Sequence, residues 1–236
     1  MSHIETNPPR TFRFALIGSL FVLLLLTSDP DCIHAQTSEA VRRHDTQLWH
    51  DLQLSFDVHH RVELIAMTGV REGGNVSQVI QDRIGGGLSL RLNKFLSLSP
   101  MFALIDQRPT RGQHGLEKRV WLDATVALPA AKWLITNRNR IERRFQEQEA
   151  TRYRNRVQVE RPLKLGGFHL KLFASEEIFH SWSGEDRTRL RLTAGGTKKL
   201  GERTSLDVYF TRQRAGGIFD ETTNYNAIGT TLKVRL

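Results

Sequence analysis

From residue 46 to the end of the chain, apolar and polar residues take turns, and this alternation is the strongest constraint on the fold. Leu52, Leu54 and Phe56 oppose Asp51, Gln53 and Ser55. Val120, Leu122, Ala124 and Val126 oppose Arg119, Asp123 and Thr125. Leu206, Val208 and Phe210 oppose Ser205, Asp207 and Tyr209. A period of two places successive side chains on opposite faces of a strand. Eleven such runs are predicted as strands: 46–57, 59–71, 82–93, 95–107, 116–128, 132–145, 151–163, 167–179, 187–199, 204–214 and 225–236. Strands of soluble proteins are about 5–6 residues long. A tilted strand that crosses a bilayer needs about 9–11. Most of these runs exceed that, so their length points to a barrel that crosses a membrane.

The connections vary in the same regular way. Short ones are Asn93-Lys94, Pro129-Ala130-Ala131, Gly166-Gly167 and Gly201-Glu202-Arg203, and longer polar ones are 72–81, 108–115, 146–150, 180–186 and 215–224. Short turns at one end and long loops at the other are the plan of an outer-membrane barrel. The fold class expected is therefore all-β, an antiparallel transmembrane up-and-down β-barrel of 10–12 strands. Bacterial barrels of this kind have even strand numbers, and eleven runs would start the first strand at the loop end. Either residues 36–45 supply a twelfth strand or one run is not a strand. Twelve is favoured.

Residues 1–35 are expected to be a cleaved secretory signal peptide. Arg10 and Arg13 precede an apolar run from Phe14 to Leu26, 13 residues long, and Ile33-His34-Ala35 offers a small residue before the cut. A helix that spans a bilayer needs about 20 apolar residues, whereas a charged start, a short apolar middle and a small-residue exit are the parts of a secretory signal. Residues 36–45 would then be an N-terminal periplasmic or lumenal segment, and 46–236 the outer-membrane barrel. The chain has a single cysteine, Cys32, which would leave with the signal. That excludes a disulfide framework and a cysteine-based zinc site. The net charge is +9, which points to anionic partners and says nothing about fold.

One face of the strands is dense in arginine. Arg138, Arg140, Glu142 and Arg144 share a face of 132–145, and Arg152, Arg154, Arg156 and Glu160 share a face of 151–163. A hairpin would set these rows side by side, about 5 Å apart, and like charges at that spacing need counter-ions. Glu142, Glu160, Glu177, Asp123 and Asp207 share the inward parity, as do Arg189 and Arg191. Arginine suits such a network because its planar fork bridges two carboxylates. The candidate site is thus an ion-pair network in the lumen: Arg138, Arg140, Glu142, Arg144, Arg152, Arg154, Arg156, Glu160, Glu177, Arg189 and Arg191. It either stiffens a filled, structural or porin-like barrel or forms a narrow anion-selective channel. A soluble periplasmic ligand-binding barrel is the alternative in which the two faces are reversed.

Gln47-Leu-Trp49, the run Asn137-Arg-Asn-Arg-Ile-Glu-Arg-Arg-Phe145, Arg152-Tyr-Arg-Asn-Arg156 and Ser175-Glu-Glu-Ile-Phe179 resemble an uncharacterised bacterial family, domain of unknown function 2490, over roughly 46–236. The resemblance implies an outer-membrane barrel, located in the bacterial outer membrane, with no assigned activity.

Other features carry less. Gly229, Leu232, Val234 and Leu236 form a terminal pattern suited to barrel-assembly machinery, although the chain ends in Leu rather than an aromatic residue. Asn137, Asn139 and Asn155 fall on the lipid-facing parity, where polar groups are costly; they sit near the membrane edge or form a contact between protomers. Pro100 lacks a ladder donor and predicts a bulge. Ser175, Glu177, His180, Ser181 and Ser183 cluster at one strand end, the residue types of a lipid-modifying hydrolase, but nothing in their spacing demands nucleophile–base reach. His59-His60 has no third metal ligand in view. No catalytic residue, metal or cofactor is expected. The expected partners are outer-membrane lipids, the assembly machinery during insertion and anionic solutes. Nucleic acid is not expected, because aromatic residues are not interleaved with the basic ones.

Overall fold

The computed structural model describes residues 44–108, 114–147, 149–165, 168–182, 188–215 and 224–236. All eleven predicted runs are strands: β1 (His44–His59), β2 (Val62–Gly73), β3 (Gln78–Arg91), β4 (Leu96–Gln107), β5 (Gly115–Ala130), β6 (Trp133–Phe145), β7 (Ala150–Leu165), β8 (Phe168–Ser181), β9 (Thr188–Lys199), β10 (Thr204–Ala215) and β11 (Asn224–Arg235). Each pairs with its sequence neighbours in antiparallel register, and the sheet closes on itself through β1 and β11.

That closure corrects the expectation of twelve. In an antiparallel meander an odd count leaves the first and last strands pointing the same way. Here they pair in parallel, from His44↔Asn224 to Ser55↔Arg235. A parallel ladder satisfies backbone donors and acceptors as an antiparallel one does, with slanted bonds. β1 has β2 on its other edge, so the described barrel offers a twelfth strand no free edge. Residues 36–43 lie outside the described residues, as does the predicted signal. β1 begins at the barrel end where the longer connections lie, the polarity that the even-number rule argued against.

Two local expectations also change. The connection predicted over 72–81 is only four residues, 74–77, because β2 and β3 run further than their alternation suggests. Gly74, Asn75 and Val76 all take positive φ there (60°, 56° and 64°). Such angles strain a β-branched residue. The turn is held to β1, where the Asn75 backbone N–H donates to Asp45 Oδ1 at 2.9 Å. Pro100 makes no bulge: the β3–β4 register is the same on either side of it, and the ladder only skips from Gly87↔Met101 to Leu90↔Leu98.

Burial is inverted relative to a soluble domain. Among the described residues twelve polar or charged residues are buried against eight apolar ones, with Glu117 and Glu142 nearly sealed at 1% and 0% exposed. The outward parity carries the exposed apolar residues, among them Ile84 (63%), Leu122 (48%), Leu172 (46%), Val208 (49%) and Ile228 (51%). The inside is not uniform. An apolar cluster lies within it, with Met101, Ala103 and Ile105 of β4 and Trp121 of β5 packed against Ile65 and Met67 of β2. Elsewhere one glycine makes room for an inward aromatic ring: a Cβ on Gly229 would stand 2.2 Å from Tyr209 Cζ.

Candidate functional site

The lumen holds a cavity of about 1250 Å³. Strand parity decides its lining. The inward positions are odd on β1 to β5, except at the start of β3 where a register shift turns Gln78 and Ile80 inward, even on β6 and β7, and odd again on β8 to β11, as the registers Asp123↔Arg140, Arg156↔Glu177 and Glu177↔Arg191 show. The even–odd change follows from the connections between β5 and β6 and between β7 and β8.

Four carboxylates organise the charged side. Glu142 takes Arg152 Nε at 2.5 Å and an Arg154 terminal nitrogen at 3.3 Å. Glu177 takes Arg154 Nε at 3.1 Å, a terminal nitrogen of Arg154 at 2.8 Å and one of Arg138 at 2.7 Å. Arg191 approaches its other oxygen at 3.5 Å. Asp123 binds Arg140 through two parallel bonds of 2.7 Å. Glu117 binds Arg144 in the same two-pronged way at 3.0 and 2.8 Å, and also Arg119 at 2.7 Å and Gln107. A guanidinium fork against a carboxylate is the strongest common form of such a contact. Satisfying both oxygens offsets the desolvation of these carboxylates.

Aromatic rings supply the rest of the support. Phe179 lies beneath three guanidiniums, Arg154 at 4.4 Å, Arg191 at 4.7 Å and Arg152 at 5.3 Å from its centroid. Trp49 faces Arg71 at 4.2 Å and Arg191 at 5.1 Å, and Trp121 faces Arg140 at 4.8 Å. Cations attract the negative faces of rings at these separations.

Ten of the eleven residues proposed from the sequence line the cavity: Arg138, Arg140, Arg144, Arg152, Arg154, Arg156, Glu160, Glu177, Arg189 and Arg191. Glu142 is buried in the wall behind them. Glu160 lies apart from the arginine rows and pairs with Lys171 at 2.7 Å. The like-charged neighbours are real: Arg138 stands across the ladder from Arg156, and Arg140 from Arg154. Three of these four guanidiniums reach a carboxylate at 2.7–2.8 Å. Among the described residues Arg156 has none within 4.0 Å, and neither has Arg71. Sequence reasoning missed Glu117, Arg119, Arg71 and the three rings. Glu117 shares the parity of Asp123 on β5, so alternation alone would have found it. Parity also turns Trp49, Trp121 and Phe179 inward, but it does not show which guanidiniums they meet, because those come from other strands.

The hydrolase-like cluster divides between faces. Ser175, Glu177 and Ser181 have inward parity, whereas His180 pairs with Tyr153 on the outward row, is exposed, and packs edge-on against Trp182 at 5.8 Å. Ser183 lies outside the described residues. A histidine on the far side of the wall from Ser175 cannot take its proton. The rings of His59 and His60 lie 3.9 Å apart, tilted by 50°, and among the described residues no group of three metal-binding side chains occurs.

A family model described as "Protein of unknown function (DUF2490)" matches residues 46–220, ending short of the resemblance in the sequence itself. No curated protein matches the chain. Among solved structures it is similar to the β domain of the Bordetella autotransporter BrkA, at 13% identity and a TM-score of 0.46, covering 71% of this chain and 81% of that one. LpxR from Salmonella typhimurium is 11% identical with a TM-score of 0.45, covering 74% and 83%. An anion-selective porin from Comamonas acidovorans is 13% identical with a TM-score of 0.37, covering 72% and 55%.

Proposed function

The chain belongs to the DUF2490 family, and from that premise we propose that it is a small outer-membrane barrel, porin-like, whose ion-paired lumen carries a surplus of positive charge and admits small anions. The observation that carries this reading is the inverted burial around a charged cavity. Thirteen Arg and Lys residues line the cavity against six Asp and Glu. Adding Glu117 and Glu142 from the wall leaves cations in excess. Arg71 and Arg156 line it without a carboxylate of their own among the described residues, so a mobile anion is the counter-ion they lack.

The membrane half of the proposal rests on the outer face. A closed sheet leaves no unpaired edge, which a bilayer requires. Its belt of exposed Leu, Ile, Val and Phe would be an aggregation hazard in water. The soluble ligand-binding alternative needs the two faces exchanged. The bacterial outer membrane is then the location, reached through the predicted signal peptide and the barrel-assembly machinery.

Two measurements separate the halves. Purified protein should require detergent and change its gel mobility on boiling; a monomer stable in buffer alone would overturn the membrane reading. Planar-bilayer recordings should show anion preference, reduced or reversed by Arg140→Glu. No conductance, or cation preference, in a barrel that still shifts on boiling would reject anion passage and leave a structural barrel.

A further inference from the structure

On the outward face of β6, β7 and β8 there is a polar patch in the middle of the apolar belt. Asn137, Asn139, Tyr153, Asn155 and Glu176 all have outward parity. Around them stand Leu122, Ile141 and Ile178, 48%, 58% and 46% exposed. The amides bind one another. Asn139 Nδ2 donates to Asn137 Oδ1 at 2.7 Å, and Asn155 Nδ2 donates to Asn139 Oδ1 at 2.9 Å and to Asn137 Oδ1 at 3.3 Å. Asn137 Nδ2 donates to Asn155 Oδ1 at 3.3 Å, and the Tyr153 hydroxyl donates to Asn139 Oδ1 at 2.5 Å.

This network is incomplete. A carboxamide nitrogen carries two hydrogens, and Asn137 and Asn139 each use one in these bonds, so two N–H groups stay unused. Glu176 is half-buried on the same face and, among the described residues, has no hydrogen bond or ion pair. Spare donors and a spare acceptor thus lie two strands apart, in one row: Asn137 pairs with Val157, and Val157 pairs with Glu176. Unpaired polar groups facing lipid are costly and point to a partner.

We propose that this face joins two copies of the chain side by side in the membrane. The contact is isologous, about a two-fold axis that runs along the barrel axis past Val157. Such an axis sets β7 against β7 and β6 of one copy against β8 of the other, because a two-fold contact presents the same patch reversed. The unused amide N–H groups of Asn137 and Asn139 then donate to the Glu176 carboxyl of the partner copy, and the partner's amides do the same in return. The donor–acceptor imbalance within one copy becomes complementarity between two. Small outward residues beside the patch, Ala124 on β5 and Ala174 on β8, let the two walls approach.

The inference rests on the membrane reading above, and its test keeps the two apart. Val157→Cys, in a Cys32→Ala background, should form a disulfide-linked pair in native outer membranes. Leu64→Cys, on β2 across the barrel, should not. Adding Asn137→Leu, Asn139→Leu and Glu176→Leu should lower the Val157 cross-link about tenfold, the size expected for losing one or two net hydrogen bonds. Should that combination fail to insert, Glu176→Leu alone serves, since it makes the face more apolar and should leave boiling-dependent mobility intact while weakening the pair. Unchanged cross-linking in these variants overturns the proposal. So does a monomeric mass in detergent with no Val157 cross-link in membranes, or a cross-link to a different protein. Loss of heat-modifiable mobility in the wild-type chain would instead be the failure of the barrel reading.

Discussion

Two walls of the same lumen are built in opposite ways. On β6, β7 and β8 the inward positions hold Arg138, Arg140, Glu142, Arg152, Arg154, Arg156 and Glu177, all but Arg156 joined by ion pairs among the described residues. On β4, with the neighbouring inward positions of β2 and β5, Met101, Ala103, Ile105, Trp121, Ile65 and Met67 are joined by packing, while the rest of β5 (Glu117, Arg119, Asp123) belongs to the charged wall. Both walls fill the interior of a barrel, but their requirements differ. An apolar wall needs only volume, and volume-conserving changes are tolerated. A charged wall needs stoichiometry, because each buried guanidinium without a partner keeps its desolvation cost. The two meet at Trp121, which packs with Met101 on one side and faces Arg140 on the other.

If that contrast is right, the largest effect comes from taking a shared carboxylate out of the charged wall. Glu177→Ala takes from Arg138 its near carboxylate and leaves Arg154 only Glu142 at 3.3 Å, and should destabilise the barrel by about 3–5 kcal/mol, read as a lower denaturant midpoint in micelles. Pairing it with Arg154→Ala should cost less than the two changes summed, since they share one interaction; strict additivity would mean the network is not cooperative. On the apolar wall Met101→Ala should cost about 2–3 kcal/mol by opening a cavity, and Met101→Leu less than about 1.5 kcal/mol. A large loss for the Leu variant would show that this wall also depends on shape.

Smaller effects sharpen the comparison at its edges. Lys233 pairs with Asp207 at 2.6 Å but its side chain is 43% exposed. Solvent screens such a pair, so Lys233→Ala should cost no more than about 1 kcal/mol and the cost should shrink with salt. The smallest effect is expected at Arg156, which faces Arg138 and, among the described residues, has no carboxylate of its own. Arg156→Gln should leave stability unchanged or slightly raised while lowering anion preference in bilayer recordings. A loss comparable to that of Glu177→Ala would reveal a partner that the present geometry does not contain.

Much of this was legible in the sequence, and the failures have physical causes. All eleven strands follow from alternation, with ends displaced by a few residues; β3 starts at Gln78 rather than 82 because a register shift opposite Arg71 and Glu72 leaves Ile80 out of the ladder and breaks the polar–apolar pattern. The inward arginines followed from parity, and so would Glu117 have done. Pro100 was expected to shift register, yet a missing donor only leaves a gap when neighbouring pairs hold the strands in place. Asn137, Asn139 and Asn155 were legible as misfits on the outer face. Their mutual bonds and the nearness of Glu176 were not, since these depend on the register of three strands.

Period two is a local property, set by backbone geometry within one strand, and the sequence by itself therefore determined which residues share a face and roughly where each strand runs, but not the final strand number. It left the closure and the partnerships open. An odd meander closing through a parallel β1–β11 seam, Arg71 from β2 and Arg191 from β9 meeting over Trp49 of β1, and Arg156 left without a carboxylate among the described residues were decided by the tertiary structure. The reason is that register and curvature belong to the whole closed sheet, and no single strand encodes them.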